Sequence, residues 1–461
     1  MGVDPRSIDF EGKLPTRFKL SYGLVSLADG MMVTAFVQFL MIYLTDTVRV
    51  SPGAVGIALM VARLWDAVTD PVMGAISDRT RSRYGRRRPW LLWGCAPLAL
   101  TWIAVWSVPA NQGLVTALYV LVSILLFQTA RTVVMVPYLS LSAELSTDYH
   151  ERSSIQAYRS SLFICGNMIG ATFITLAHMF QNVRQGFFIV AVITGVATIV
   201  PYLLTFRGTC ENPAPQHRDQ PSFMGSFSDV FRNKPYLILC LYFFLVTVAF
   251  TFSGSFFVYV ITYWLNKPKL WVTALLITTQ LSGLVCLPVW VAISRRVGKK
   301  TGNVIAIATG GILQASAFLL VQRDMPWLAF LWAGSMGLLN ASTQIFPFSL
   351  AADTVDMDEL NTGHRKEGVY FGLITFLFKS ASAIGVVMVG FILQFSRYVP
   401  LQQQTAEVIL RFRLFHAILP GVGLLIAVWL FATKFPITVE RANEISRELK
   451  ARREKRRTAG A

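Results

Sequence analysis

The stretch that decides the fold is Trp65-Asp66-Ala67-Val68-Thr69-Asp70-Pro71, which lies inside the apolar segment 53–77. That segment is long enough to cross a bilayer, since about 20 apolar residues in a helix span its hydrocarbon core. An acid at membrane depth costs roughly 2.5–3.5 kcal/mol on insertion scales. Two acids in one span therefore indicate a functional site.

On a helix, Asp66 and Asp70 share one face, with about 5–6 Å between their Cβ atoms. Arg63, three residues before Asp66, lies on the same face. Two acids and one base leave a net negative pocket, whose oxygens suit a small cation or an exchangeable proton. The pattern predicts an ion-coupled transporter; the alternative is an ion pair that braces neighbouring helices.

Composition places the whole chain in the membrane. Its 461 residues are 54% hydrophobic and 15% charged, with a mean hydropathy of +0.52, whereas soluble domains have about 25% charged residues. Recurring apolar windows predict an all-α membrane protein with twelve transmembrane helices. The predicted spans are 20–44, 53–77, 90–109, 114–138, 155–180, 186–206, 236–264, 271–294, 303–322, 327–350, 368–395 and 413–433.

The net charge of +17 comes mostly from loops on one side of these spans. Lys and Arg cluster in residues 79–88, 295–300 and 441–457, on the side that holds both termini. By the positive-inside rule, both termini are predicted to be cytoplasmic, in an inner (plasma) membrane. We expect the basic tail to touch anionic lipid heads and predict no binding of nucleic acid.

A polar segment divides the twelve spans six and six. The prediction is an N-terminal six-helix bundle (1–206), a cytoplasmic central loop (207–234), a C-terminal six-helix bundle (235–434) and a basic cytoplasmic tail (435–461). Landmarks recur in both halves: Val136-Pro137-Tyr138 ends the fourth span and Phe346-Pro347-Phe348 ends the tenth. Such repeats predict two pseudo-symmetric bundles around a midplane site.

Three segments together resemble the glycoside–pentoside–hexuronide:cation symporter family of the major facilitator superfamily, of which the melibiose permease is the best-known type. They are Trp65 to Pro71, then Arg83-Tyr84-Gly85-Arg86-Arg87-Arg88-Pro89-Trp90, and Ala352-Asp353-Thr354-Val355-Asp356 with Gly363 and Arg365 to Gly368. The similarity runs from Tyr22 to Lys379. It implies the major facilitator fold.

The resemblance implies a cation site on the second helix. In that family the paired acids bind the coupling cation, which places it at Asp66 and Asp70, with Thr132 of the fourth span as a further ligand. Thr69 stands where the melibiose permease has an Asn associated with cation choice, so sodium and proton both remain open. Lys379 belongs by resemblance to the coupling network that faces the acids, to which we also assign Arg63.

The resemblance also implies a solute site at Asp29, in a first span interrupted at Gly30, and at Arg159. The match weakens there, because Arg131 and Gln344 replace a Tyr and a Trp of the melibiose permease, and Met135 and Leu139 replace an acid and another Trp. Arg131, Tyr138 and Gln344 are further candidates for the solute pocket.

Arg131 has two interpretations, because an arginine at membrane depth must find an anion. With Arg159 and Lys379 it would recognise an anionic solute, since its planar guanidinium suits a carboxylate or phosphate. Alternatively, it pairs with Asp29 or Asp66 and holds the bundle together.

Three acids at cytoplasmic span ends are predicted to act in gating: Asp78, Glu144 and Asp353. Asp78 can pair with the arginines of its loop. Glu144 and Asp353 lie near Arg152 and Arg365, and we expect ion pairs between them.

The sequence therefore predicts a symporter that couples the inward movement of sodium or protons to uptake of a sugar or glycoside, neutral or anionic. The alternative substrate is an anionic amphiphile such as a lysophospholipid; a non-transporting sensor and an ion channel are rivals from other classes. No nucleotide-binding loop, nucleophile elbow or zinc pattern occurs, so we predict neither enzyme activity nor a cofactor. The predicted partners are a small solute, a monovalent cation and the bilayer, and the protein is expected to be monomeric.

Overall fold

The computed structural model of the chain describes residues 13–109, 113–142, 145–146, 149–211, 233–362, 367–442 and parts of 444–451. Within these residues the regular elements are helices, and twelve of them follow the predicted spans. They are α1 Thr16–Ile42, α2 Pro52–Arg79, α3 Arg88–Val105, α4 Leu114–Leu141, α5 Tyr149–Ala171, α6 Val183–Gly208, α7 Lys234–Tyr259, α8 Lys269–Val297, α9 Lys299–Leu320, α10 Leu328–Thr362, α11 Glu367–Phe395 and α12 Ala406–Lys434. The predicted fold class is confirmed.

Ten of these helical segments are long and apolar enough to cross a membrane by length and composition, within the residues described. The two that fall outside that criterion are α3, with 18 residues, and α10, with 35 residues. Prolines lie inside several helices, among them Pro71 of α2 and Pro137 of α4. Membrane helices tolerate them because neighbouring groups satisfy the freed carbonyls.

The chain forms two compact units. Unit 1 comprises residues 1–216, 254–277 and 386–409, and unit 2 comprises residues 217–253, 278–385 and 410–461. Unit 1 therefore holds α1 to α6 together with the end of α7, the start of α8 and the end of α11. We call the face of unit 1 where α1 ends and α2 begins the distal face. In unit 2, α9 packs against α10 and α12.

The first helix is continuous through Gly30, so the predicted interruption there is wrong. Gly30 serves close packing instead, since a Cβ at this position would stand 2.4 Å from the carbonyl oxygen of Phe163 on α5. Gly166 does the same from the α5 side, where a Cβ would stand 2.1 Å from the carbonyl oxygen of Leu27. The glycines let the backbones of α1 and α5 touch.

Two segments repeat the same backbone geometry with a constant offset of 217 residues (260 − 43). The π-helical turns Tyr43–Thr47 and Val260–Trp264 end α1 and α7. Each is followed by one left-handed residue, Arg49 with φ 68° and Asn266 with φ 50°. The next helices begin at Pro52 and Lys269, again 217 apart. This agreement supports an internal duplication, as the landmarks in the sequence predict.

The glycine contacts between α1 and α5 give a test of the packing. We expect Gly166→Ala to destabilise the protein by about 1–3 kcal/mol, because the new methyl group must push against the Leu27 backbone. Gly334→Ala in α10 is the matched control, since its Cβ position meets no atom within 4 Å beyond its own turn of helix in the described part of the chain, and alanine favours a helix. The measurement is thermal unfolding in detergent; equal melting temperatures for both variants would contradict the packing argument.

Candidate functional site

Carboxylate and hydroxyl oxygens from α2 and α4 meet inside unit 1. The hydroxyl oxygen of Thr132 lies 2.8 Å from Oδ1 of Asp66 and 3.2 Å from Oδ1 of Asp70. Asp66 is 2% exposed and Thr132 is 3% exposed. A hydroxyl has one proton, so Thr132 donates to one carboxylate at a time and keeps lone pairs available to a cation. The structure thus brings together three of the predicted cation ligands.

Arg131, the neighbour of Thr132 on α4, makes a bidentate ion pair with Asp29 of α1. Its Nε lies 2.8 Å from Oδ1 and its Nη2 3.1 Å from Oδ2. Asp29 is 5% exposed. Two parallel hydrogen bonds are the strongest arrangement of this pair of groups. In this conformation Arg131 therefore has the partner that the brace interpretation expects, and its predicted role toward an anionic solute stays a prediction.

Arg63 completes a charged cluster with these side chains. It lies on α2 close enough to Asp66 and Arg131 to interact electrostatically with both. We define the charged cluster as Arg63, Asp66, Asp70, Arg131 and Asp29. Its formal charges are two positive and three negative, which gives a net charge of −1. One monovalent cation or one proton would make the cluster neutral.

Other residues predicted for the site have different surroundings. The Thr69 hydroxyl donates to the backbone carbonyl of Asp66 at 3.3 Å. Arg159 is half-buried on α5, and its Nε donates to Gln156 at 2.6 Å. Gln344 is exposed on α10 and Lys379 is half-buried in the middle of α11, both in unit 2. Their roles toward cation and solute remain predictions.

Tyr138 is fully buried between α1 and α4. Its ring stacks on Tyr22 with centroids 4.6 Å apart. Its hydroxyl lies 2.8 Å from that of Ser26 and donates to the carbonyl oxygen of Tyr22 at 3.0 Å. In this conformation the ring packs helices together, and its predicted contact with a solute stays a prediction.

Two of the three predicted gate acids, Asp78 and Asp353, pair with basic side chains. Asp78 accepts a hydrogen bond from Arg87 at 2.9 Å, as expected for a loop latch. Asp353 pairs with Lys299 at 2.6 Å, at the start of α9, whereas we expected Arg365. Glu144 and Arg365 lie outside the described residues, so their predicted ion pairs are not addressed.

Sequence reasoning missed Glu211, which organises the basic loop before α3. Its carboxylate accepts hydrogen bonds from the backbone N–H groups of Arg86, Arg87 and Arg88, at 2.7–2.9 Å. A negative group at a helix N-terminus satisfies donors that the helix leaves open. Gly85, with φ 103°, supplies the turn that aims these donors.

Sequence reasoning also missed two buried polar side chains near the cluster. The Tyr202 hydroxyl of α6 contacts the sulfur of Met135 at 3.9 Å and lies near Asp29 and Arg131. Gln128 lies one turn before Thr132 on the same face of α4 and is 2% exposed. Its amide nitrogen has no hydrogen-bond partner in the described part of the chain. The sequence does contain a signal for Gln128: it is a polar residue four positions before the predicted ligand Thr132, so both lie on one face of the helix.

Comparisons with known proteins agree with this architecture. The family profile described as MFS/sugar transport protein matches residues 21–439. The putative glycoside/cation symporter YagG of Escherichia coli (strain K12) is 26% identical over 444 residues, which cover 95% of each chain. The sodium-dependent lysophosphatidylcholine symporter 1 of Xenopus tropicalis is 26% identical over 459 residues, which cover 91% of this chain and 87% of that protein.

A solved structure shares the fold at low sequence similarity. The nucleoside transporter NupG superposes with a TM-score of 0.65 at 13% identity, and the alignment covers 91% of this chain and all of that one. The likeness shows the fold alone.

The Asp29–Arg131 pair makes a prediction about stability. Removing one partner leaves the other charge buried, so Asp29→Asn and Arg131→Gln should each cost roughly 3 kcal/mol or more. The double variant should recover most of that loss, because no uncompensated charge remains. Thermal unfolding of the four proteins measures the coupling; additive losses would contradict a direct pair. Lys19→Gln, which breaks a pair with Glu151 elsewhere in unit 1, is the control and should show no coupling with Asp29→Asn.

Proposed function

Because the chain belongs to the MFS/sugar transport protein family, we propose that it is a secondary active symporter. It couples the inward movement of sodium or protons to uptake of a sugar or glycoside. The observation that carries the proposal is the contact of one hydroxyl, Thr132, with both carboxylates of α2.

Three oxygen-bearing side chains at this spacing suit either coupling ion. Carboxylates and hydroxyls are hard oxygen ligands that bind hard cations. Two carboxylates close together can also share a proton, since each raises the proton affinity of the other. No group of three or more His, Cys, Asp and Glu side chains that would hold a metal ion occurs in the residues described. The site thus rests on two acids and a hydroxyl.

The charge of the cluster favours a neutral solute. The net charge of −1 is balanced by one monovalent cation, and Arg131 is already bound to Asp29 through two hydrogen bonds. An anionic solute would have to displace that carboxylate or arrive at a site without surplus positive charge. A neutral sugar needs only hydrogen bonds, which Asp29 and Arg159 can exchange with hydroxyl groups.

A lysophospholipid is the second candidate solute, because of one feature of unit 2. An apolar hollow of about 540 Å³ lies between α8 and α10. Its lining residues are Leu287, Pro288, Val291, Ala292, Ile345 and Arg295. An acyl chain fits the aliphatic lining, and Arg295 at one end could hold a phosphate group. The lysophosphatidylcholine symporter among the relatives is consistent with this alternative.

Thr132 gives the sharpest test of the cation site. We expect Thr132→Ser to keep cation-dependent uptake, because serine keeps the hydroxyl oxygen. Thr132→Val removes that oxygen and should reduce uptake at least about tenfold, which corresponds to a loss of roughly 1.4 kcal/mol of cation binding free energy. Asp66→Asn and Asp70→Asn should abolish accumulation. The assay is uptake of radiolabelled methyl glycosides into proteoliposomes with an imposed sodium or proton gradient.

The outcome that contradicts the cation site is equal accumulation by the Val and Ser variants, with unchanged dependence on the ion. Thermal unfolding of each variant separates loss of the site from loss of the fold. The gradient that drives wild-type uptake identifies the coupling ion.

Val291 separates the two substrate classes. Val291→Trp fills the hollow beside α8 with a bulky ring, so it should block uptake of palmitoyl-lysophosphatidylcholine if that is the solute. Glycoside uptake should be unchanged, because the charged cluster lies on other helices. We expect the wild type to accumulate glycosides and Val291→Trp to keep that activity. If instead the wild type takes up the lysophospholipid and Val291→Trp does not, the second candidate is favoured.

A further inference from the structure

Asp46, a buried acid outside the charged cluster, gathers hydroxyl groups from three segments of unit 1. It follows α1 in the turn Tyr43–Thr47 and is 6% exposed. Its Oδ1 accepts from Tyr398, beyond α11, at 2.6 Å and from Thr45 at 2.8 Å, and its Oδ2 accepts from Tyr263 at the end of α7. Hydrogen bonds to an ionised acceptor are about twice as strong as neutral ones. One carboxylate thus ties three chain segments together.

These hydrogen bonds to Asp46 join equivalent helix ends of the two repeats. With the offset of 217 residues, Asp46 corresponds to Tyr263 (46 + 217), and these two side chains contact each other. Thr45 also bonds the hydroxyl of Tyr259, at 2.8 Å. Both segments are π-helical turns, a local departure from α-helix that often marks functional positions.

Two further contacts close the same distal face. The hydroxyls of Thr175, after α5, and Thr273, on α8, lie 2.8 Å apart, and Thr273 donates to the carbonyl oxygen of Ala171 at 2.7 Å. Between α2 and α11, a Cβ at Gly390 would stand 2.5 Å from the carbonyl oxygen of Pro52. The ends of α7, α8 and α11 therefore rest directly on α1, α5 and α2.

We propose that the Asp46 cluster, defined as Asp46, Thr45, Tyr259, Tyr263 and Tyr398, is a latch that closes the distal face and opens once in every transport cycle. The inference rests on the proposed transport function. A solute reaches Asp29 from the distal face only when the ends of α7, α8 and α11 leave α1, α2 and α5. Alternating access in symporters of this plan requires that movement.

The chemistry of the latch suits repeated opening. Its donors are hydroxyl groups and its acceptor is one carboxylate, so water can replace each bond when the face opens. Lys269, which donates to Thr262 at 2.7 Å, lies near enough to Asp46 to interact with its charge. Because the bonds from Tyr263 and Tyr398 share Asp46 as their acceptor, loss of contact with this one carboxylate releases both segments together. Because the N-terminus is predicted to be cytoplasmic and α1 ends at the distal face, we expect this face to lie on the outer side of the membrane.

A disulfide across the distal face tests whether it must open. The Thr175 and Thr273 hydroxyls are close enough for Thr175→Cys and Thr273→Cys to bridge, in a background where the five native cysteines are replaced. We expect the oxidised pair to lose at least about nine-tenths of glycoside uptake and a reductant to restore it. The single-cysteine variants are the controls. Uptake by the cross-linked protein equal to that of the reduced protein, or failure to cross-link, would overturn the latch.

Accessibility measured without any solute tests the tyrosines. A cysteine at Gln38, on α1 between Asp29 and the latch and next to Gly254 of α7, is labelled with a membrane-impermeant maleimide from outside. We expect the double variant Tyr263→Phe, Tyr398→Phe to increase the labelling rate about tenfold. The reason is that the free energy of hydrogen bonds to a charged group is large enough to shift the closed state by about that factor. Tyr236→Phe, which removes a buried tyrosine bond to Tyr370 in unit 2, is the matched control and should leave the rate unchanged.

The two proposals fail in different ways. If reduced protein accumulates no solute under any gradient, the transport function fails while the labelling result still reports on the latch. If reduced protein transports and the labelling rate of the double Phe variant equals that of the control, the latch alone is wrong.

Discussion

Two carboxylates of α2 beside one threonine hydroxyl of α4 are the constraint from which the rest of the charged structure follows. An uncompensated negative charge is expensive in a medium of low dielectric constant. Arg63 and Arg131 supply positive charge near Asp66. Arg131 then needs its own anion, which Asp29 provides through two hydrogen bonds. The compensation stops one charge short, a balance that one monovalent cation or proton would complete.

This incomplete compensation gives a physical account of coupling. Before the cation arrives, the guanidinium groups are drawn to Asp66 and Asp70 as well as to Asp29. In the proposed symport, a bound cation would take over part of that attraction, so that Arg131 and Asp29 would become freer to exchange hydrogen bonds with a solute. By linkage, a solute held at Asp29 must then favour the cation by the same factor. Neither ligand has to touch the other.

The sequence predicted features that depend on local pattern, and it missed those that depend on distant packing. Hydrophobic windows give the helices, and helical spacing puts Asp66 and Asp70 on one face. The partners of Asp46 lie 217 and 352 residues along the chain, and Glu211 grips a loop more than 120 residues before it. No periodicity encodes such contacts. A glycine inside a helix, such as Gly30, is compatible with a kink or with a close approach of another helix, and only the position of α5 decides between them.

The two repeats share backbone geometry at equivalent positions but differ in the acids that they carry. With the offset of 217 residues, Pro71 of α2 corresponds to Pro288 of α8, but Asp66 corresponds to Gly283 and Asp70 to Leu287. The second copy therefore keeps the proline inside the helix without the acids. At the distal face, in contrast, equivalent positions meet each other through Asp46 and Tyr263. Because only the first copy holds the acids, the proposed cation site belongs to that copy alone.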